Sequence, residues 1–203
     1  MIFKKSLENN NERSRGIVSL LLTHFRNRPW VVAIHALTAL LYHILVPALY
    51  LGGYRMSQIS AGIAGKKLAL HMQESATAWF GASLVLGFCI LVGLAPFTGI
   101  EGFSYLFKRP SVDFYESQPM AFSKRFLLHF GSGIGLYAVV FGAGTVCEIL
   151  VVTLCGGAMP RMAAAMAARF LVMLSVYIGM YSLSVLAAIL SGNVFIAVLL
   201  GCF

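Results

Sequence analysis

Four titratable residues lie inside long apolar runs, where proton transfer and charge pairing are the chemistry to consider. His35 and His43 are eight residues apart and share a helical face around Ala39. Glu148 and Arg169 fall in two later apolar runs. Ionisable side chains within a membrane are costly, so they are usually paired or functional. The two histidines fit a proton relay, a metal pair or hydrogen-bonded structural groups, and we favour the last.

For Glu148 and Arg169 we expect an ion pair between helices, with a role in a substrate path as the alternative. The sequence shows no serine triad, zinc ligand set or paired carboxylates. We therefore expect neither catalysis nor a bound metal or cofactor. The tripeptide at 65–67, GKK, resembles a phosphate-binding loop but has Ser60 where glycine is required and Lys67 where Ser or Thr is required. ATP hydrolysis would have to come from a partner.

Composition places the chain among membrane proteins. Of its 203 residues, 59% are hydrophobic and 11% are charged, whereas a soluble domain carries about 25% charged residues. The net charge is +8, but the basic residues flank apolar runs. That arrangement favours membrane lipid, rather than nucleic acid, as the electrostatic partner.

The cysteines lack C-x-x-C spacing and are interpreted as apolar packing residues: Cys89, Cys147, Cys155 and Cys202.

Four apolar runs are long enough to cross a membrane as helices, because a bilayer core of about 30 Å needs about 20 helical residues. The predicted spans are 30–54, 76–100, 126–155 and 163–190. Pro47 and Pro96 should kink the first two. Residues 194–203 would reach only about 15 Å, and we interpret them as the start of a span in a truncated chain rather than an interfacial tail. The predicted fold is all-α and polytopic, with four full transmembrane helices and a partial fifth.

The distribution of lysine and arginine predicts the orientation. Residues 1–29 carry six and residues 106–125 carry four, whereas the alternate side has Arg55, Lys66, Lys67 and Arg161. Basic loops stay inside the cell. We therefore expect a cell-membrane protein with its N-terminus and residues 106–125 in the cytoplasm. Residues 16–28 have the pattern of an interfacial amphipathic helix, although they also fit the cytoplasmic end of the first span.

The polar segment 106–125, LFKRPSVDFYESQPMAFSKR, separates the second and third spans. Pro110 should end the preceding helix, and Ser111 or Asp113 can cap a short new one before Pro119 stops it. Such a helix presents apolar anchors beside two carboxylates, which suits docking to a protein. The predicted docking residues are Val112, Asp113, Phe114, Tyr115 and Glu116. The alternative is a solvated loop.

This segment resembles the permease subunits of bacterial ABC transporters, in the type-2 exporter group. Many of those permeases carry R-x-x-V-D-F-Y-x-S-L-P after the second span, followed by basic residues. Here Gln118 replaces the leucine, and the remaining pattern is present as Arg109, Val112, Asp113, Phe114, Tyr115, Ser117 and Pro119, then Lys124 and Arg125. The turn at 191–195, SGNVF, and the order of spans are also similar.

The resemblance implies a transmembrane permease subunit whose cytoplasmic coupling helix docks into a groove of an ATP-binding cassette subunit. It also implies a second permease subunit, in a homodimer or a heterodimer. Family members have at least six spans, which again predicts a truncated chain. The alternative is a stand-alone multi-pass membrane protein, such as a secondary transporter or an assembly factor, without an ATPase partner.

The third span carries small residues at helical spacing: Gly131, Gly135, Ala138 and Gly142. Gly131 and Gly135 form a G-x-x-x-G motif, which lets helices approach closely in lipid. We expect this face to pack within the bundle and Leu136 to face lipid. An interface between two subunits is the alternative use of the glycine face.

Overall fold

The computed structural model describes residues 28–107 and 122–191, and all regular elements within these ranges are helical. The helices are α1 (Pro29–Ser60), α2 (Gly65–Gly102), α3 (Phe122–Leu154) and α4 (Met162–Ser191), with a 3₁₀ turn at Ser104–Phe107. In this described part, four helices are long and apolar enough to cross a membrane. The predicted all-α class is confirmed for the described residues, and the four helices have the length and composition expected of a multi-pass membrane protein. The predicted partial helix at 194–203 lies outside the described residues.

Three helices begin close to their predicted positions, but the second begins earlier. α2 starts at Gly65 rather than at residue 76, so it includes Lys66 and Lys67 and runs for 38 residues. At 1.5 Å per residue it is about 57 Å long, well beyond a bilayer core of about 30 Å. Hydropathy finds only the apolar part of such a helix, whereas backbone hydrogen bonding continues through its polar extension. The turn between α1 and α2 is consequently short.

α1 changes its winding in the middle. Residues Leu41–Leu45 form a π turn, in which the Val46 N–H donates to the Leu41 carbonyl. Pro47 follows directly and has no N–H to donate. A π turn is one way for a helix to accommodate such a break, and these turns are frequent at functional sites. Pro96, in contrast, lies inside α2 without ending it.

The helices alternate in direction across the bundle. At one end, Arg28 Nη1 donates to the Glu101 carbonyl at 2.7 Å, so the start of α1 lies beside the end of α2. At the other, Arg55 Nη1 donates to the Leu154 carbonyl at 3.1 Å. We call these two ends of the bundle the Arg28 end and the Arg55 end. α2 ends and α3 begins at the Arg28 end, where α1 also begins.

The interior has two apolar parts. Towards the Arg28 end, the rings of Tyr137 and Tyr177 stack with centroids 4.1 Å apart, and those of Tyr177 and Tyr181 with centroids 5.7 Å apart. We call these three residues the aromatic stack. Towards the Arg55 end, the core is built from Leu51, Met72, Ala76, Trp79, Val152, Met162 and Met166. The outward faces are apolar too, with Val139 72% and Leu183 66% exposed, which suits contact with lipid.

The glycine face predicted on α3 does not pack closely within the bundle. A Cβ added at Gly131 or Gly135 would meet no atom of the described residues within 4 Å. Ala138 is half-buried, and only Gly142 makes ordinary contact, with a phenylalanine ring at 3.5 Å. Leu136 is 7% exposed, so it faces the interior rather than lipid. The expectation that Leu136 faces lipid is wrong. For Gly131 and Gly135, no close packing is seen among the described residues, and a role in an interface between subunits stays a prediction.

The close approaches fall on a different stripe of α3. An added Cβ at Gly133 would overlap the ring of Tyr181, and one at Gly144 would overlap the ring of His43. These glycines lie about three helical turns apart on one face. Because α3 is rich in glycine, spacing alone offers two possible packing faces, and only the large side chains of α1 and α4 decide between them.

Candidate functional site

The carboxylate of Glu148 is the centre of a buried polar cluster. Its Oε2 accepts a hydrogen bond from His43 Nδ1 at 2.7 Å and an ion-paired hydrogen bond from Arg169 Nη2. Its Oε1 accepts from Trp79 Nε1 at 3.0 Å. Arg169 Nη1 donates to Ser83 Oγ at 2.5 Å. We call these five residues the ionic junction, and they join all four helices at one point.

The ion pair expected between Glu148 and Arg169 is therefore present, between α3 and α4. Glu148 is 0% and Arg169 is 5% exposed. The guanidinium carbon of Arg169 also lies 5.0 Å from the centroid of the Phe80 ring, a cation–π distance. A buried charge that lost its partner would face an apolar surrounding without compensation, so each charge of the pair depends on the other.

Two glycines provide space for His43 in the junction and for Tyr42 beside it. Gly144 on α3 lies against the His43 ring, and a side chain there would displace the imidazole. Gly87 on α2 lies against Tyr42, whose hydroxyl would be 2.6 Å from an added Cβ. That hydroxyl donates to the Ser83 carbonyl at 2.7 Å. The close approach of helix backbones brings the polar side chains within hydrogen-bond reach, as small residues commonly allow in membranes.

His35 does not join His43 in one site. Its Nδ1 lies 2.9 Å from the Val31 carbonyl, and its Nε2 lies 3.3 Å from Thr98 Oγ1. His35 and His43 are two turns apart on α1, roughly 12 Å along its axis. Each histidine is hydrogen-bonded to its own partner. Within residues 28–107 and 122–191, no three residues of the types His, Cys, Asp or Glu come together as metal ligands.

The cavities within the described helices are small. One of about 10 Å³ lies beside the ionic junction, and one of about 30 Å³ lies at the Arg28 end. Small-molecule sites occupy about 300–1,000 Å³. A groove of about 310 Å³ does exist, but it is apolar and lies between α1 and α2, lined by Ile34, Thr38, Ile90, Gly93, Leu94 and Phe97. Neither of the two interior cavities, at about 10 and 30 Å³, has room for a small molecule.

The predicted docking residues lie outside the described residues: Val112, Asp113, Phe114, Tyr115 and Glu116. The flanks of their segment are described. Phe103, just after α2, is 1% exposed, and its ring centroid lies 5.5 Å from that of Phe126 on α3. The end of α2 and the start of α3 therefore lie beside each other.

Sequence reasoning did not find Trp79, Ser83 or Gly144 as members of the site. A buried indole N–H needs a hydrogen-bond acceptor, and this was the available signal for Trp79.

Comparisons of the chain with protein-family models, curated proteins and solved structures found no match.

Proposed function

We propose that the chain is a transmembrane permease subunit of an ABC-type exporter in the cell membrane. In this proposal, residues 106–125 dock on a partner ATP-binding cassette subunit and couple its ATP hydrolysis to substrate movement. The observation that carries it is the pattern V-D-F-Y-x-S-x-P at 112–119, in a connection between two membrane-spanning helices. The four apolar helices support a place for this segment at a membrane surface.

The described residues on either side of the 106–125 segment are suited to transmit force. Phe103 and Phe126 pack together at its two ends, and Arg28 holds the end of α2 through the Glu101 carbonyl. A partner that moved residues 106–125 would move α2 and α3 together at this end. The same two helices carry Ser83 and Glu148 of the ionic junction, so displacement would reach the centre of the bundle along rigid helices.

A second permease subunit fits the size of the cavities. The two interior cavities, of about 10 and 30 Å³, are too small for a substrate, which agrees with a path that forms with further residues or with another subunit. A homodimer or heterodimer of permeases supplies such a path between two bundles. The outward-facing apolar surface is available both for lipid and for that second subunit.

Site-specific photo-crosslinking tests the proposal. A photo-reactive amino acid replaces Tyr115 in the full chain, and the matched variant carries it at Ala61, an exposed residue in the turn between α1 and α2 at the Arg55 end. In native membranes, position 115 should crosslink to a protein with an ATP-binding cassette, and position 61 should not. Because ATP is cytoplasmic, this result also supports a cytoplasmic 106–125 segment. Absence of that crosslink from 115, or equal crosslinking from 61, would contradict the proposal and favour a stand-alone membrane protein.

A further inference from the structure

The two ring nitrogens of His43 are in very different situations. The residue is 3% exposed. Nδ1 is bonded to Glu148 Oε2 at 2.7 Å, whereas Nε2 is buried and has no hydrogen-bond partner among the described residues. Buried polar atoms without partners are rare in folded proteins, and each one calls for a physical explanation.

The surrounding bonds determine which nitrogen carries hydrogen. The Glu148 carboxylate accepts from Arg169 and from Trp79, so it acts as an ionised acceptor on both oxygens. His43 must then donate to it through an Nδ1–H. In a neutral imidazole, the other nitrogen holds a lone pair and acts as an acceptor. Nε2 is therefore a basic atom with nothing in the described helices to bind.

Space for a donor exists beside this residue. His43 lines the cavity of about 10 Å³, which is near the size of one water molecule. Three other lining residues carry hydroxyl groups, namely Tyr42, Tyr137 and Thr145. Polar partners and room for one water are the two conditions for a hydrated internal site.

We propose that Nε2 of His43 is a proton-binding site inside the membrane, supplied through a single water molecule in this cavity. The proton leaves a hydronium ion, forms an N–H bond at the Nε2 lone pair and leaves water behind. The ring becomes an imidazolium that keeps its Nδ1–H on Glu148. No redox change or other reactant is needed.

Proton binding changes the charge of the ionic junction. With a neutral His43, the carboxylate of Glu148 balances the guanidinium of Arg169, and the net charge is zero. With the imidazolium, one carboxylate serves two cations. The polar and charged groups around His43 and its partner Glu148 come from all four helices. They are Tyr42 on α1, Trp79 and Ser83 on α2, Tyr137, Thr145 and Glu148 on α3, and Arg169 on α4. Among them, Glu148 is the one anion, so it must stabilise the added charge.

Nitrogen-15 NMR of histidine-labelled full-length protein in lipid nanodiscs tests this site. The chain has five histidines, and loss of one signal in His43→Gln assigns that residue. As the pH is lowered, His43 should change from an Nδ1–H tautomer with a bare Nε2 to a doubly protonated ring. A water cross-peak to Nε2 should accompany the neutral form. An Nε2–H tautomer in the neutral ring, or no proton uptake at Nε2 while the protein stays folded, would overturn the proposal.

Two variants separate proton binding from simple packing. Glu148→Gln keeps the shape of the side chain but removes its charge, so the proton affinity of His43 should fall at least tenfold. Gly144→Ala displaces the ring from Glu148 and should lower that affinity as well, whereas Gly135→Ala, in open space on the same helix, should not. An unchanged His43 titration in both Glu148→Gln and Gly144→Ala would contradict the proposed role of Glu148. The test needs no ATPase, so it is independent of the proposed transport function.

Discussion

The ionic junction and the aromatic stack join the same helices, α3 and α4, by different kinds of contact. In the stack, Tyr137 and Tyr177 lie nearly parallel at 11°, and the hydroxyl of Tyr177 donates a long hydrogen bond of 3.3 Å to the Gly133 carbonyl. In the junction, Glu148 accepts hydrogen bonds from three side chains on three other helices. Stacking tolerates small changes of position, whereas directional bonds to a buried charge do not. We infer that the stack supplies packing and the junction fixes the relative position of the four helices.

The largest effect should come from removing one charge of the junction. Glu148→Leu leaves Arg169 buried without its carboxylate and should lower the free energy of unfolding in lipid by about 3–5 kcal/mol. The double variant Glu148→Leu/Arg169→Met removes both charges and should lose much less, because no uncompensated ion remains. Equilibrium unfolding in nanodiscs measures both. A double variant as unstable as Glu148→Leu would show that lost charge balance is not the cause.

A smaller loss should follow from filling the space for His43. Gly144→Ala forces the imidazole or the backbone to shift, and such overpacking costs about 1–3 kcal/mol. Gly135→Ala is its matched control, because an added Cβ there meets nothing within 4 Å. That change should be neutral or stabilise the helix by up to about 1 kcal/mol. Equal unfolding free energies for the two variants would contradict the tight fit of His43 on α3.

The smallest effect should come from the stack. Tyr177→Phe keeps the ring contacts and removes one long hydrogen bond, so we expect a loss of about 0.5–1.5 kcal/mol. Tyr50→Phe, on a residue that is 44% exposed, should leave the unfolding free energy unchanged. A loss for Tyr177→Phe as large as that for Glu148→Leu would remove the distinction between the two regions.

The two regions also differ in how far the sequence predicts them. The high cost of isolated charges in a membrane was sufficient to expect a pair between Glu148 and Arg169. The sequence did not identify Glu148 as the partner of His43, because the two residues lie 105 positions apart along the chain. The early start of α2 at Gly65 was missed for another reason, since hydropathy does not detect a polar helical extension.

The choice of packing face on α3 shows the same limit. Gly131 and Gly135 have the spacing of a helix-packing motif, but Gly133 and Gly144 are the glycines that admit rings from other helices. Both sets fit a helical repeat. The decision depends on which way α3 is rotated, and that is set by contacts with Tyr181 and His43 from distant parts of the chain.

The comparison of the two regions is tested most directly by two double-mutant cycles in one lipid system. One cycle combines Glu148→Gln with Arg169→Met, and the other combines Tyr137→Leu with Tyr177→Leu. Contacting residues couple by about 0.5–3 kcal/mol, and aromatic pairs by about 0.5–1.5 kcal/mol. We predict a coupling energy near the upper limit for Glu148 and Arg169, above that of the tyrosine pair. A coupling energy near zero for Glu148 and Arg169, or one below that of the tyrosines, would contradict the view that the ionic junction positions the four helices.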